Sequence, residues 1–472
     1  MASAIPTPRS VKERAAAGKA ARSAVPRESH ATFAPPADRS DPVALLQSQD
    51  SHRVESLLPI RYGRMASSPF DFLRGAAIIM ASDLAGTPRS GITTQISGDA
   101  HVANFGVFAS PERDLVFDLD DFDETLAGPW EWDVKRLAVS LAVAARQNGL
   151  RQGRQDMVVA RAVAEYRTTM RRFAAMRNLD VWYAHLDVDE ALALLRPEGD
   201  RRLVRRTARS LALAQTSARE SLAAATKLTR RVDGATRIVA EPPLIVPLDD
   251  LAQGAEHREM ALALHEQLST YRESLADDRR RLLEQFEVVD FARKVVGVGS
   301  VGTRAWIALL LGLDGDDPLF LQLKEADPSV LEPHLGESGY RNHAERVVTG
   351  QRLMQATPDI FLGWLRLNPG PRGGPPMDFY VRQLRDWKGA GDLTTMSAGA
   401  MAQYGRFCAW TLARAHARTG DRIAVASYLG KGDAFDRAIV VFAGAYAEQN
   451  ERDWQALKAA VRSGAIKAQT GV

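Results

Sequence analysis

Cysteine is nearly missing from this chain: Cys408 stands alone in 472 residues. One thiol excludes an intrachain disulfide and a thiolate zinc cluster, and it fits a reducing, cytoplasmic setting. Long apolar runs are missing as well. The longest, such as 306–311 and 438–443, fall far short of the roughly 20 residues that a membrane span needs. No His/Cys pair has metal-ligand spacing, and no Ser-His-Asp pattern stands out. An excess of one charge is also absent: 61 Lys+Arg face 58 Asp+Glu, a net +3. Residues 1–40 hold seven basic and three acidic side chains, a surplus of four, so the remaining chain sums to −1. A balanced body without a nucleic-acid motif makes nucleic acid an unexpected partner. What is present, 45% hydrophobic and 25% charged residues, is the composition of an ordinary globular protein with a large core.

The segment to about residue 41 is rich in Ala, Pro, Ser and Arg with few large apolar residues, and reads as a flexible basic leader. It lacks the apolar stretch of a secretory signal. Periodicity predicts a helix over 70–83, a strand over 92–96, and a hairpin of 105–108 with 115–119. Helices are predicted at 134–147, 156–177, 188–195, 201–228 and 255–285. From Phe291 short β segments dominate, at 295–298, 305–311, 319–323, 360–364 and 379–384, with one helix at 341–356. Helices at 397–418, 434–447 and 451–463 close the chain. No repeat of 20–50 residues is present.

Two constellations carry chemistry. The first is Ser97-Gly98-Asp99-Ala100-His101-Val102-Ala103-Asn104, followed after a hairpin by five carboxylates between Asp118 and Glu124. An Asp and an Asn five residues apart, then a further Asp, suit Mg²⁺-dependent phosphoryl transfer. Mg²⁺ takes one or two carboxylates plus phosphate oxygens, while the first Asp orients a hydroxyl and accepts its proton. Adjacent carboxylates repel unless a cation neutralises them. His101 reads as a structural residue of the loop.

The second is Gly297-Val298-Gly299-Ser300-Val301-Gly302, followed by Leu321-Gln322-Leu323-Lys324. Such glycines let backbone amides approach phosphates. A dinucleotide-binding turn is one reading. A phosphate-covering hairpin fits better, because the next strand ends in Lys324 and not in a ribose-binding acid. A Lys there needs an acid to fix it, and Glu345 in the following helix is the best placed. Arg61, Arg64 and Arg74 could form an anion pocket. Trp130 and Trp132 are expected in the core, and Lys135-Arg136 on a solvated face.

These residues resemble known families. The second constellation is similar to the small lobe of protein-kinase-like folds: glycine loop, Lys on the third strand, Glu on a helix, two more strands, and a hinge near 380–383. The first is similar to the catalytic and metal segments of the aminoglycoside-phosphotransferase branch, with Ser97 where that branch has His. Aligning the metal strand on Asp121-Phe122-Asp123-Glu124 places Asp133 at its structural Asp and favours Asp121 over Asp118 as metal ligand. With Arg61-Tyr62-Gly63-Arg64-Met65 and the segment from Ser68 to Gly75, the pattern over roughly 40–460 resembles the bacterial DUF2252 family.

The resemblance implies an α+β, two-lobed, kinase-like fold. Because the catalytic loop precedes the glycine loop by about 200 residues, it also implies a circular permutation. Thr411-Leu412-Ala413-Arg414-Ala415-His416 resembles the helix that leads into the catalytic loop. The expected parts are a leader (1–41), a large helical lobe (42–290), a β-rich nucleotide lobe (291–390) and helices completing the large lobe (391–472). The expected activity is Mg²⁺/ATP-dependent transfer to a hydroxyl of a small molecule. Asp99, Lys324 and Glu345 would be catalytic, Gly297, Gly299, Ser300, Gly302 and Lys324 would bind nucleotide, and Asn104, Asp121 and Asp118 would bind metal. Adenylyl transfer to a protein side chain, or nucleotide-dependent regulation with little turnover, are the alternatives.

Overall fold

The structure, a computed structural model, describes residues 9–112, 114–186, 228–295, 297–312, 317–367, 376–384 and 392–471. The helices expected at 188–195 and nearly all of 201–228 lie outside the described residues. The fold is α+β with a large helical part. The N-terminal part folds into α1 (Val11–Ala24), α2 (Pro42–Gln47), α3 (Leu58–Ser67), α4 (Pro69–Gly75) and α5 (Ala77–Ala85). Strands β1 (Thr93–Ile96), β2 (Phe105–Ala109), β3 (Leu115–Leu119) and β4 (Leu126–Pro129) form two antiparallel pairs, β1 with β4 and β2 with β3. They lead into α6 (Trp130–Gln147), α7 (Gln152–Ala174) and α8 (Asn178–Tyr183). Next come β5 (Thr229–Val232), β6 (Ala235–Ile238), β7 (Ile245–Pro247), α9 (Leu248–Leu251), α10 (Gly254–Arg272) and α11 (Asp277–Leu283). The rest comprises β8 (Glu287–Lys294), β9 (Ala305–Leu311), β10 (Pro318–Glu325), α12 (Glu332–Leu335), α13 (His343–Met354), β11 (Gly363–Leu367), β12 (Met377–Gln383), α14 (Ala398–Thr419), α15 (Arg422–Leu429) and α16 (Ala434–Arg462).

Helix α6 is the centre of the large helical part. Sixteen of its 18 residues are buried, as expected of a helix surrounded by neighbours and not lying at a surface. Trp130 and Trp132 are in the core, as their size suggested. The burial also overturns the reading of Lys135-Arg136 as a solvated face. Both are buried, and a buried cation requires a partner. Lys135 Nζ donates to Thr87 Oγ1 at 2.8 Å and lies over the Phe442 ring.

Strands β7 to β12 form one antiparallel sheet in the order β11-β12-β10-β9-β8-β7. Its central strands read as near-continuous apolar runs because both faces are covered. One face packs on α10 and α11 through Leu264, Leu268, Tyr271 and Leu283. The other holds Ile238, Ile245, Ile307 and Phe320. Each fully buried Leu, Ile or Phe contributes about 1.5–3 kcal/mol. A boundary at 290/291 would cut β8 in half. The sheet with its covering helices begins upstream, near β7, because Leu264 and Leu268 face the strands.

Other boundaries shift for local reasons. The helix expected at 70–83 breaks at Ala76 (φ −113°, ψ 35°), giving α4 and α5. The one expected at 255–285 breaks between α10 and α11, whereas 434–462 runs unbroken. Of the strand expected at 295–298, residue 296 lies outside the described residues and Val295, Gly297 and Val298 are not in a strand; Val295 and Val298 enter apolar clusters with Leu57 and Ile60, and with Tyr62 and Phe72.

The leader is the clearest correction. Residues 11–24 form a helix with a capping box, in which Ser10 Oγ accepts from Glu13 N at 3.2 Å and Glu13 Oε2 from Ser10 N at 2.7 Å. A 14-residue Ala-rich helix is marginal alone; this one packs along α15, with Gly18 against the backbone of Ala424. His30 is fully buried, 2.6 Å from Tyr428 Oη. Arg39 bridges Asp83 and Asp453 at 2.7 Å each.

Burial lowers the His30 pKa from 6.5 to about 3, with the Lys135 charge acting in the same direction. The unfolded leader takes up a proton near 6.5 and the docked one does not. Docking is therefore full above pH 6.5 and loses about 1.4 kcal/mol per unit below it. Proteolysis within residues 9–41 should accelerate between pH 7 and 5, and His30→Gln should flatten that dependence.

The C-terminal end of α14 lies against the start of β1: a β-carbon on Gly420 would meet Thr94 Cγ2 at 2.3 Å and Thr93 O at 3.1 Å. No helix among the described residues is long and apolar enough to cross a membrane.

Candidate functional site

The loop between β1 and β2 is clamped at both ends. Ser97 N and Gly98 N donate to Asp133 Oδ2 and Oδ1 at 2.8 and 2.9 Å. His416, from α14, stands 3.2 Å from Asp133 Oδ2 and is held by Tyr166. Asp133 and His416 thus secure the loop that begins with Ser97. Further on, Asn104 Nδ2 donates to Asp99 O at 2.8 Å, and Asn104 O accepts from Asp120 N at 3.1 Å.

Asp99 accepts on Oδ1 from Arg136 Nε and Nη2 at 2.8 and 2.6 Å. Its Oδ2 faces His101 Nε2 at 3.8 Å. Burial raises the Asp99 pKa to about 6 against the pull of Arg136. His101 is buried and pushed well below 6.5 by burial and by Arg136, so its ring is neutral; its Nδ1 has no hydrogen-bond partner. Arg136 was missed because a Lys-Arg pair near a helix start reads as surface unless the helix is known to be central.

The acidic segment divides. Asp118 is buried, accepts from Arg414 Nη2 and from Ala356 N (2.8 Å), and does not line the cavity. It joins β3 to α14 and the end of α13 and stands outside the cavity, away from the place expected of a metal ligand. Asp120, Asp121, Asp123 and Glu124 line the cavity. Burial and the neighbouring Asp123 push Asp121 above the usual carboxylate range. Burial acts on Asp123 in the same way, but the adjacent Lys324 ammonium holds it below that range.

Lys324 lies on β10 opposite Tyr380 of β12. Its ammonium donates to Asp123 Oδ2 and stands 4.0 Å from Asp121 Oδ1. Burial opposes the charge, but the two carboxylates raise the Lys324 pKa. Tyr380 Oη donates to Asp123 Oδ1 at 2.8 Å, and Arg382 Nη1 to Asp120 O at 2.9 Å. The acid that fixes Lys324 is therefore Asp123, from the acidic segment itself.

Glu345 is not brought to Lys324. It sits in the first turn of α13, where Asn342 Oδ1 caps its amide at 2.7 Å and its carboxylate accepts from Arg341 N at 3.2 Å. Glu345→Ala should cost only the tenths of a kcal/mol to about 1 kcal/mol typical of a helix-end acid. Denaturant midpoints of variant and parent check this.

Gly297 and Gly302 adopt φ of 64° and 94°, which an L side chain rarely tolerates. The loop carbonyls face α2 to α4 and their connections. Arg53 Nη1 donates to Gly299 O (2.9 Å) and Val301 O (2.6 Å), Arg64 Nη1 to Gly297 O (2.5 Å), and Val54 N to Gly302 O (2.8 Å). Ser300 Oγ donates to Asp123 Oδ2 at 3.4 Å. With the carbonyls so engaged, the amides of Gly297, Val298, Gly299 and Ser300 have no backbone acceptor among the described residues. Of the three expected anion-binding arginines, Arg61 is buried on Asp50 and Gln49. Arg64 and Arg74 are near enough to repel, and Arg74 lines the cavity.

The central cavity has a volume of about 180 Å³ and is lined by Asp99, Asn104, Asp121, Asp123 and the loop from Gly297 to Ser300. A second cavity of about 510 Å³ shares Arg74, Ala103, Asp120 and Gly297 with it. Phe105, Val107 and Phe108 form its floor, with Gln322, Arg382, Gln383 and Leu384 on the sheet side. No group of three or more His, Cys, Asp or Glu side chains converges as a ready cage for a metal ion among the described residues. Mg²⁺, which uses one or two carboxylates plus water and phosphate, does not require one.

The family described as "Uncharacterized protein conserved in bacteria (DUF2252)" matches residues 53–460, most of the chain, and the chain belongs to it. No curated protein and no solved structure gives a significant match.

Proposed function

We propose that this DUF2252 protein is a Mg²⁺/ATP-dependent phosphotransferase acting on a hydroxyl of a small molecule, with a circularly permuted, kinase-like fold. One observation carries the reading. Asp99, Asn104 and Asp121 from one end of the chain share a cavity with glycine-loop amides that have no backbone acceptor among the described residues, and Lys324 is tied to the same cavity's Asp123.

The order of parts supports the fold. Two strands flank the glycine loop, a third carries Lys324, a helix follows, and two more strands end at the 380–383 segment. The approach of Gly420 to Thr93 and Thr94 supports the permutation: a short bridge there would join the His416 helix to the strand that enters the Asp99 loop. The clamp of Asp133 on Ser97 and Gly98 supports the loop's role, since a base must be held in place before it can act.

The residues fit a metal-bound nucleotide. Asp121 is raised by burial and by Asp123, a strain that a divalent cation relieves. Asn104 spends its amide N–H on Asp99 O and keeps Oδ1 for a metal. Bound Mg²⁺-ATP would supply the transferable phosphoryl group and the charge that steadies it, with Asp121 and Asn104 holding the metal. Lys324, positioned by Asp123 and Tyr380, neutralises phosphate charge, and the loop amides donate to phosphate oxygens. Asp99 orients the acceptor hydroxyl through Oδ2 and takes its proton, while Arg136 fixes the carboxylate through Oδ1. The second cavity, with its aromatic floor, suits the base and ribose.

The test is incubation with α- or γ-labelled ATP, Mg²⁺ and a small-molecule extract, with Asp99→Ala as control. Transfer from the γ position that is lost in the variant is the expected result. Transfer from the α position would establish adenylyl transfer instead, and binding without transfer a regulator.

A further inference from the structure

A basic pocket far along the chain from the central site has no role in the proposed reaction. About 420 Å³ in volume, it lies where α1, α7 and α15 end, and Lys19, Arg22, Arg171 and Lys431 line it over a floor that includes Ile423 and Ala426. Arg27 joins them: a β-carbon on Gly430 would lie 2.9 Å from Nη1 of both Arg22 and Arg27. Among the described residues no acidic side chain lines the pocket. Asp421, Asp436 and Asp433 are engaged with Arg14, Arg167 and Arg437. Arg27 spends Nη1 on Leu429 O at 2.7 Å, and its buried Nε has no partner.

Helix ends explain part of this charge but not all of it. Three helix C-termini meet here, at Ala24, Ala174 and Leu429, and each offers the equivalent of about half a negative charge. Five cationic side chains exceed that total several-fold. Cations gathered around a concave surface without acids repel one another, and an oxyanion relieves the repulsion with charge-assisted hydrogen bonds.

We propose that this pocket binds a small phosphate-bearing anion, which bridges the leader helix α1 to α7 and α15. The apolar floor accommodates a compact organic body, and the guanidinium groups take the phosphate. Binding fastens residues 11–24 to the rest of the molecule.

Inorganic pyrophosphate is the probe, added to the full chain at ten times the dissociation constant measured by calorimetry. Amide exchange over residues 11–24 should then slow about tenfold, because opening of α1 requires the anion to leave. Arg171→Gln, which lies on α7 and leaves α1 intact, should remove most of that slowing, as should Arg22→Gln. Exchange that does not respond to millimolar pyrophosphate overturns the proposal. So does equal protection in the Arg171→Gln protein, or protection by an RNA oligomer where pyrophosphate gives none. Lys324→Met, in the central cavity, should leave the effect on α1 unchanged.

Discussion

Lys324→Met is expected to abolish label transfer from γ-labelled ATP, with a loss of at least about 10²–10³-fold. The side chain is 3% exposed and donates from the sheet to Asp123, an acid that lines the central cavity. Methionine keeps the bulk and removes the charge. Asp123 then loses the ammonium that holds it ionised, and one carboxyl of the Asp121–Asp123 pair takes up a proton. A pair carrying one negative charge in place of two would hold a divalent ion less well, so on the proposed function phosphate and metal affinity fall together. Thermal melting of the same variant separates this loss from unfolding. If the variant melts near the parent and still transfers label at the parent's rate, Lys324 has no part in the chemistry.

Asp133→Ala should have the largest effect on stability, about 3–5 kcal/mol, as expected when one partner of a buried charged network is removed. Asp133 is fully buried and accepts from two consecutive amides at the entry to the Asp99 loop, with His416 alongside. Alanine strands both amides and frees the imidazole in an apolar setting. Denaturant midpoints measure the loss, and exchange at 97–104 locates it. Asp133→Asn should lose less stability but still loosen the loop, because an amide offers one acceptor where the carboxylate offers two.

Much of the candidate site was legible because it is written in local sequence. The Asp99–Asn104 loop, the hairpin after it, the glycine turn and the Lys-bearing strand each span 15 residues or fewer, and their turn and strand patterns mark them. What depends on packing was not legible. The place of Glu345 in the following helix makes it the expected partner of Lys324, yet Asp123, about 200 residues earlier, is the acid that reaches Lys324. Asp118 carries the same side chain as Asp121 but points to Arg414. Nothing in the local sequence tells which side of β3 faces the cavity. Arg136 and Lys135 resembled surface cations until the burial of α6 was known.

The fold divides in the same way. Strong apolar periodicity gave the long helices and the central strands. Breaks at Ala76 and between Arg272 and Asp277, and the membership of β7 and β8 in the sheet, depend on tertiary contacts that periodicity does not encode. The composition of the leader, poor in large apolar residues, does not show what holds residues 9–41: a capping box, the close approach of Gly18 to Ala424, and the buried pairs of His30 and Arg39. The glycine loop is likewise tied to the helices near Arg53 and Arg64. The loop and the segments that hold it therefore lie 233 to 248 residues apart in the chain.

The central claim is that this cavity holds a metal-bound nucleoside triphosphate, and calorimetric titration of ATP into the full chain with and without Mg²⁺ tests it most directly. Binding that requires Mg²⁺ and is lost in both Lys324→Met and Asp121→Asn is the predicted result. Absence of ATP binding in the folded parent, or binding that neither substitution alters, would contradict it.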